Sequence, residues 1–164
     1  MSDDQLVDEA DLEWSDVEHG DHEFRRKQLG AATAGDELGC SLYELPEGKQ
    51  DWLRHYHEGN EEALFVLSGT GTISLGPDAE EHDLSAGDYV ALPRGEAGTH
   101  AIEGGEGGLR YLMMSTMNEP DITVYPDDDK VGLYAGSAPG GAKDERTLST
   151  YLDRNAEVAY WDEE

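Results

Sequence analysis

From Lys27 onward the chain alternates short apolar runs with polar turns. Within most runs hydrophobic and polar residues alternate, as in strands whose two faces meet different surroundings. Clusters rich in glycine, proline, asparagine and aspartate separate the runs at a spacing of roughly 8–12 residues, which is typical of a sandwich or barrel. The predicted strands are 26–31, 39–45, 50–57, 61–67, 70–75, 88–92, 99–103, 108–116 and 121–125.

This pattern divides a single-domain chain into three predicted segments. They are an acidic N-terminal arm (1–25), a β-barrel (26–118) and a C-terminal extension that packs on the barrel or on a partner subunit (119–164). In the arm, Leu6, Ala10 and Trp14 have the spacing of one helical stripe, although a partly ordered segment fits equally well.

The C-terminal extension contains two further signals. Leu148, Tyr151 and Leu152 have helical spacing. Tyr160 and Trp161 stand near the chain end, where large aromatic rings would be wasted on a loose tail. We therefore expect these two rings to dock on the barrel exterior or on a second subunit.

The charge balance narrows the range of partners. The chain carries 38 acidic and 11 basic residues, a net charge of −27, spread along its whole length. Such a chain repels nucleic acid and anionic membranes, so neither is an expected partner. Dispersed acidity with few lysines suits folding in molar salt and favours a halophilic source over an acidic mesophile. The basic cluster 25–27 is expected to pair with carboxylates.

Features that mark a secreted or membrane protein are missing from the sequence. There is one cysteine, so no intramolecular disulfide can form. The first residues show neither a basic nor an apolar segment typical of a signal peptide. The apolar runs are too short to span a bilayer. We therefore expect a cytoplasmic protein.

Two histidines and a glutamate suggest a metal site. His55 and His57 are two residues apart, so on a strand both point to one face. Glu58-Gly59-Asn60 reads as a turn, and 61–67 as the returning strand. This hairpin would bring the carboxylate of Glu62 opposite the two imidazoles.

A third histidine follows a second turn. In the stretch 87–100, a turn, a short apolar strand and Pro93-Arg94-Gly95 lead to His100. Three imidazoles and one carboxylate suit one divalent transition metal per chain, and Mn, Fe(II), Ni, Co and Zn all remain open. The absence of thiolates argues against a closed structural zinc site. The other histidines, His19, His22 and His82, are expected at the surface.

These two stretches resemble the motifs of a known family. Residues 48–71 resemble cupin motif 1, and residues 87–100 resemble cupin motif 2. The motif 1 spacing, His-x-His, four residues, glutamate, six residues, glycine, is met by His55, His57, Glu62 and Gly69. Six residues instead of the usual five separate Gly48 from His55, and four instead of two separate Gly95 from His100. The asparagine that often follows the last histidine is absent.

The chain also resembles small stand-alone cupins with a Tyr-Pro-Asp segment after the barrel, here Tyr125-Pro126-Asp127. The resemblance implies an all-β fold, a double-stranded β-helix or jelly-roll barrel, with the metal ion held by His55, His57, Glu62 and His100. Because open sheet edges need to be covered, we also expect a homodimer.

The sequence does not decide between an enzyme, a binding module and an interaction protein. The sequence contains no catalytic signature beyond the metal ligands, and cupins include dioxygenases, isomerases, decarboxylases and non-catalytic binders. The first hypothesis is a metal-dependent enzyme, an oxygenase or isomerase, that acts on a small oxygen-rich molecule. The alternative is a non-catalytic module that binds or senses a small ligand. A structural metal site in an interaction protein is the third.

Salt should stabilise this protein strongly. Below about 0.5 M salt the Debye length exceeds roughly 4 Å, so the dispersed carboxylates repel one another. We therefore expect the melting temperature to rise steeply with KCl concentration in a thermal denaturation series. A melting temperature that stays constant from low to high salt would contradict the halophilic interpretation.

Overall fold

The computed structural model describes residues 4–161, and two antiparallel sheets dominate them. The first sheet contains β1 (Ser15–His19), β2 (His22–Gln28), β3 (Leu38–Leu45), β5 (Glu62–Leu75), β6 (Glu80–Ser85), β7 (Tyr89–Leu92) and β8 (His100–Thr116). The second contains β4 (Tyr56–His57), β9 (Asp121–Tyr125), β10 (Lys130–Ala135) and β11 (Leu148–Asp153). Single 3₁₀ turns occur at Glu9–Asp11, Gly30–Ala32, Glu96–Gly98 and Lys143–Glu145.

The strand order wraps the two sheets around a common interior. In the first sheet the order is β1-β2-β3-β8-β5-β6, with β7 paired to the start of β5, and in the second it is β11-β10-β9-β4. The all-β fold predicted from the alternating pattern, and the barrel implied by the motif resemblance, are confirmed. None of the helical turns in residues 4–161 has the length and apolar character needed to cross a bilayer.

A bulge in β5 allows both halves of this long strand to turn side chains toward the interior. Leu64 and Val66 are fully buried, and beyond the register shift the buried positions are Gly71 and Ile73. The inward side therefore changes from even to odd residues, as one extra residue in a strand requires. Gly69 lies in this shift at φ 82°, where a Cβ atom would overlap the carbonyl oxygen of Gly108.

The hydrophobic core lies mainly on the first sheet. Its buried side chains are Phe24, Tyr43, Leu45, Leu64, Val66, Ile73, Leu84, Leu92, Ile102, Leu109 and Tyr111. Because Glu62 and His100 have the same parity as the inward residues that follow them on β5 and β8, both side chains also point into the interior.

Several predicted strand boundaries are corrected by the structure. The predicted strands 61–67 and 70–75 are one strand, as are 99–103 and 108–116, because glycines there form bulges instead of turns. Of the predicted strand 50–57, only β4 is regular. Four strands were missed, namely β1, β6, β10 and β11. Strand β6 is largely polar because most of its residues are exposed, which hid it from a hydrophobic pattern.

The N-terminal segment contributes to the first sheet. Strands β1 and β2 form a hairpin, and β2 pairs with β3. The boundary predicted at residue 25 therefore falls inside β2. Instead of a helical stripe there is only the short turn Glu9–Asp11. The expected pairing of the basic cluster is found for Arg25 with Glu44 and for Lys27 with Glu9, each at 2.6 Å.

The C-terminal extension supplies three of the four strands of the second sheet. The helix predicted from Leu148 and Leu152 is wrong, because this segment is β11, hydrogen-bonded to β10. Tyr160 and Trp161 are 89% and 77% exposed and contact each other, so they do not dock on the barrel of their own chain.

Candidate metal centre

The centre is built around a backbone contact between two histidines. His55 and His100 exchange both backbone hydrogen bonds, with N···O distances of 3.2 and 3.0 Å, as in an antiparallel pair. Their ring centroids lie 4.6 Å apart, and both side chains are buried. Strand pairing therefore determines the separation of these two imidazoles.

Glu62 completes a three-residue cluster. One ligand atom from each of His55, Glu62 and His100 lies within 4.8 Å of the others. Glu62 Oε2 is 3.6 Å from His100 Nε2 and 3.5 Å from His57 Nε2. Four residues that the sequence placed in two separate motifs thus converge, although His57 lies outside the tightest group.

His57 reaches the cluster from the opposite sheet. It belongs to β4, which pairs with β9, whereas Glu62 begins β5 in the first sheet. The predicted hairpin of His57 and Glu62 is therefore wrong, although the proximity that it implied is found. The ring centroids of His57 and His55 are 5.1 Å apart, so the candidate site lies between the two sheets.

Each imidazole has an acceptor for its Nδ1–H group. His55 Nδ1 lies 2.6 Å from the carbonyl oxygen of Leu53, and His100 Nδ1 lies 2.8 Å from that of Gly98. His57 Nδ1 lies 2.7 Å from Asp121 Oδ2. A proton on Nδ1 leaves the Nε2 lone pair free, which is the arrangement that metal-ligating histidines adopt.

Asp121 and Thr123 on β9 contact His57 of the candidate centre, and the sequence pattern did not reveal them. Asp121 is 1% exposed, and its other carboxylate oxygen accepts the backbone N–H of Gly59 at 2.9 Å. The Thr123 hydroxyl lies 3.2 Å from His57 Nδ1. The only sequence signal was an aspartate opening an apolar strand, because its partner is 64 residues away.

The three imidazoles have different proton affinities. Burial, reinforced by His100 and His57, holds the pKa of His55 well below its ordinary 6.5. Burial also lowers the pKa of His100, despite the opposing charge of Glu62. Burial acts in the same direction on His57, but the carboxylates of Glu62 and Asp121 outweigh it and raise the pKa of His57. Two of the three are therefore neutral, as metal ligation requires.

A divalent cation fits this donor set. Glu62 Oε2 is buried and has no hydrogen-bond partner among the described residues. An unpaired buried carboxylate oxygen is costly, and a cation would compensate it. The Nε2 atoms of His57 and His100 both lie within 3.6 Å of this oxygen, and His55 belongs to the same cluster. Histidine with carboxylate suits first-row divalent metals.

The remaining histidines lie outside this cluster. His19 and His82 are exposed, as predicted. His22 is half-buried, and its Nδ1 lies 2.6 Å from the backbone oxygen of Asp51. The surface prediction is therefore only partly right for His22.

The centre opens into a large cavity between the sheets. The cavity has a volume of about 1160 Å³, and its walls include His55, His57, Glu62 and the loop 136–146. Tyr125, from the second sheet, also lines it, with its ring centroid 5.8 Å from that of His55. A small molecule in this cavity would therefore have access to the candidate ligands.

Comparisons with known proteins agree with this architecture. Residues 41–115 match the profile of the cupin domain (Cupin_2), and this stretch includes His55, His57, Glu62 and His100. A relative, the L-ectoine synthase of Alkalilimnicola ehrlichii, is 29% identical over 101 residues, which cover 60% of this chain and 71% of the relative.

Solved structures resemble nearly the whole chain. A protein from Acidithiobacillus ferrooxidans, named as a putative sugar phosphate isomerase, has a TM-score of 0.75 at 22% identity, and the match covers 96% of this chain and 97% of that protein. A sugar phosphate isomerase from Silicibacter pomeroyi has a TM-score of 0.73 at 20% identity, with 94% and 96% covered. The chain has the fold of a β-barrel cupin, as the motif resemblance implied.

In metal-free protein the pKa values of His57 and His55 should lie on opposite sides of 6.5. We expect NMR of the imidazole nitrogens to show His57 titrating above this value and His55 well below it. Because the folded pKa of His55 lies below its unfolded value, its neutral form contributes stability above about pH 6.5 that is lost as the pH falls. His57 has the opposite sign, and its contribution is lost as the pH rises through its folded pKa.

The variant Asp121→Asn should lower the pKa of His57, because it removes one carboxylate that stabilises the imidazolium. Asp127→Asn is the matched control, since Asp127 pairs with Arg54 at 2.8 Å. The electrostatic description would be contradicted by a His57 that titrates at a lower pH than His55.

Proposed function

We propose that this chain, which carries a cupin domain and has the cupin fold, is a metal-dependent enzyme that acts on a small oxygen-rich molecule. One divalent transition metal per chain would be held by His55, His57, Glu62 and His100. One observation carries this proposal. His57 Nε2 and His100 Nε2 lie 3.5 and 3.6 Å from Glu62 Oε2, a buried oxygen with no partner among the described residues, at the wall of an open cavity. His55 belongs to the same cluster, in which the ligand atoms of His55, Glu62 and His100 lie within 4.8 Å of one another.

The metal would act as a Lewis acid that polarises a hydroxyl or carbonyl oxygen of the bound molecule. Mn, Fe(II), Ni, Co and Zn are all compatible with three nitrogen donors and one oxygen donor. The His57 ring is held by Asp121, and the His55 and His100 rings by backbone oxygens, so the donor atoms are oriented before any ion binds.

Tyr125 is the chain's own candidate proton donor. Its ring lies beside His55 and faces the cavity. Burial, opposed by a hydrogen bond with Tyr134, raises the pKa of Tyr125 to about 12. The phenol therefore stays protonated at neutral pH and can donate a hydrogen bond to a substrate oxygen. A polar donor near the ligands favours an enzyme over a module that only binds or senses a ligand.

Isomerisation is the reaction class that we favour over oxygenation. The likeness to the two proteins that carry the name sugar phosphate isomerase, one of them as a putative enzyme, extends over almost the full length of all three chains. It includes β9, β10 and β11, which lie outside the cupin domain match and supply Tyr125 and Asp121. A sugar phosphate has several oxygens that can bind a metal. Its phosphoryl group is a second recognition group, which would occupy the far end of the cavity.

Metal analysis and a substrate panel test this function together. Tag-free protein freed of metal and reloaded should bind one divalent ion per chain. We expect the variants His55→Ala, Glu62→Ala and His100→Ala to bind the ion at least about tenfold more weakly. Removing a contact that only supports a metal ligand already costs about tenfold in metal affinity, so removing the ligand itself should cost at least as much. Affinity should also fall as the pH drops through the pKa of His57, which is raised above its ordinary 6.5, because this imidazole must lose its proton to ligate. Conversion of aldose and ketose phosphates should be followed by NMR with and without chelator.

His82→Ala and His19→Ala are the matched controls for metal binding, since neither side chain belongs to the cluster, and both variants should retain the ion. His82 also lies outside the cavity wall, so His82→Ala should retain the activity as well. An absence of metal, or binding that persists in a His55→Ala/His57→Ala variant, would contradict the proposal. Full occupancy with no conversion of any sugar phosphate would instead favour the binding module.

A homodimer is proposed on the basis of the second sheet. Strand β11 is the outermost strand of that sheet, and Leu148 and Leu152 on it are 46% and 50% exposed. Tyr160 and Trp161 add further exposed aromatic surface. A second copy would cover both an unpaired strand edge and these apolar side chains.

Light scattering in high salt should give the mass of a dimer at micromolar concentrations. Leu152→Ser and Trp161→Ser should shift the mass toward that of a single chain, because both remove exposed apolar area. The charge-neutral control Thr72→Ser lies on β5, away from this surface. A wild-type protein that is monomeric under these conditions would remove the proposal.

A further inference from the structure

The distribution of positive charge around the cavity points to a second binding subsite. The chain has only 11 basic residues against 38 acidic ones. Five basic side chains lie 2.6 to 3.4 Å from a carboxylate, namely Arg25, Lys27, Lys49, Arg54 and Arg110. The other six basic side chains have no carboxylate within 4.0 Å among residues 4–161, and four of those six line the cavity, namely Arg26, Lys130, Lys143 and Arg146.

Three of these cavity cations are half-buried, whereas Lys143 is exposed. Within residues 4–161, no carboxylate oxygen lies within 4.0 Å of Arg26, Lys130 or Arg146. Arg26 adjoins Arg25 and Lys27, both of which are paired, so its lack of a partner is not a property of that strand. It is instead the member of the basic cluster whose side chain lines the cavity.

Aromatic rings hold these cations in place. The Arg26 guanidinium lies 5.2 Å from the Trp52 ring centroid. Lys130 Nζ lies 4.9 Å from the centroid of Tyr125, and the Arg146 guanidinium lies 4.8 Å from that of Tyr134. A ring face stabilises the charge but leaves N–H donors available for an anion.

Arg146 has the clearest unmet hydrogen-bonding capacity. Its Nε atom is buried and has no partner among the described residues, and its Nη2 donates only a long bond of 3.3 Å to the oxygen of Ala138. Lys130 lies over Tyr125 and also 5.8 Å from the ring of Tyr151, whose hydroxyl accepts from Tyr134 at 2.8 Å. Lys130 and Arg146 therefore stand on one connected tyrosine cluster.

Carboxylates near the cavity do not cancel this charge. Besides Glu62, the acidic residues of its wall are exposed, namely Asp36, Glu119, Asp144 and Glu145. Solvent screens exposed charges, whereas half-buried cations keep more of their field. The cavity thus holds the candidate metal ligands at one end. A cationic region begins a single aromatic ring away, since Tyr125 contacts both His55 and Lys130.

We propose that Arg26, Lys130 and Arg146 form an anion subsite that binds the phosphoryl group of a small phosphate monoester. Two guanidinium groups and an ammonium match a dianion with three accepting oxygens, and arginine binds phosphate through two parallel hydrogen bonds. This subsite deepens the proposed function. It rests on that function for the remainder of the substrate, whose oxygens would face His55 and Glu62.

The test uses full-length protein treated with chelator, at constant high KCl concentration, so that no metal contributes. Binding of glycerol phosphate should be measured by calorimetry, with glycerate as the carboxylate probe. One phosphate site per chain is expected, with glycerate weaker. Lys130→Gln and Arg146→Gln should each weaken phosphate binding by at least about tenfold, the value of a hydrogen bond to a charged group. Lys130→Arg should retain binding.

Arg154→Gln is the charge-matched control, because Arg154 is exposed and does not belong to the cavity wall. Absence of glycerol phosphate binding overturns the subsite, as does an equal loss in Arg154→Gln. Glycerate binding as tight as the phosphate overturns the phosphoryl assignment. Metal occupancy is measured in the same variants and should be unchanged.

The two proposals fail separately in this experiment. Phosphate binding in a protein that takes up no metal leaves the subsite standing and removes the metal enzyme. A metal-loaded protein that converts unphosphorylated sugars but binds no phosphate removes only the subsite.

Discussion

The carboxylate of Glu62 is the feature on which the centre of this molecule depends. It is brought into the interior by the parity of β5, and its Oε2 atom has no donor among the described residues. A buried carboxylate without a partner is costly, and the neighbours that could offset it are His57 and His100, at 3.5 and 3.6 Å. The pKa of His57 is raised whereas that of His100 is lowered, because only His57 contacts a second carboxylate, that of Asp121. An ion between these groups would relieve the cost for all of them at once.

The position of the centre between two sheets has consequences for chemistry. His55, Glu62 and His100 belong to the wall formed by the first sheet, whereas His57, Asp121 and Tyr125 come from β4 and β9 in the second. The orientation of His57 therefore depends on how the sheets face one another. It also means that the C-terminal extension contributes to the site, because it supplies the residue that holds His57 and the phenol beside His55.

Acidic and basic side chains occupy different parts of this protein. The surface carries most of the 38 carboxylates, and several basic residues are used to pair with them. The three half-buried cations of the cavity lie against aromatic rings instead of carboxylates, and a ring face occupies no N–H donor. An acidic exterior and a locally cationic interior are compatible, because burial reduces screening inside while solvent and salt screen the outside.

Local patterns in the sequence determined the strand-rich fold and the set of candidate ligands. Alternation of apolar residues reports which side of a strand is buried, and the spacing of His55, His57 and Glu62 is short enough to be read directly. Only the tertiary structure decided that β4 and β5 belong to different sheets, that Asp121 supports His57, and that Arg26, Lys130 and Arg146 line one cavity. These residues lie far apart along the chain. Their proximity depends on strand order and sheet packing, which are long-range pairings that no local period encodes.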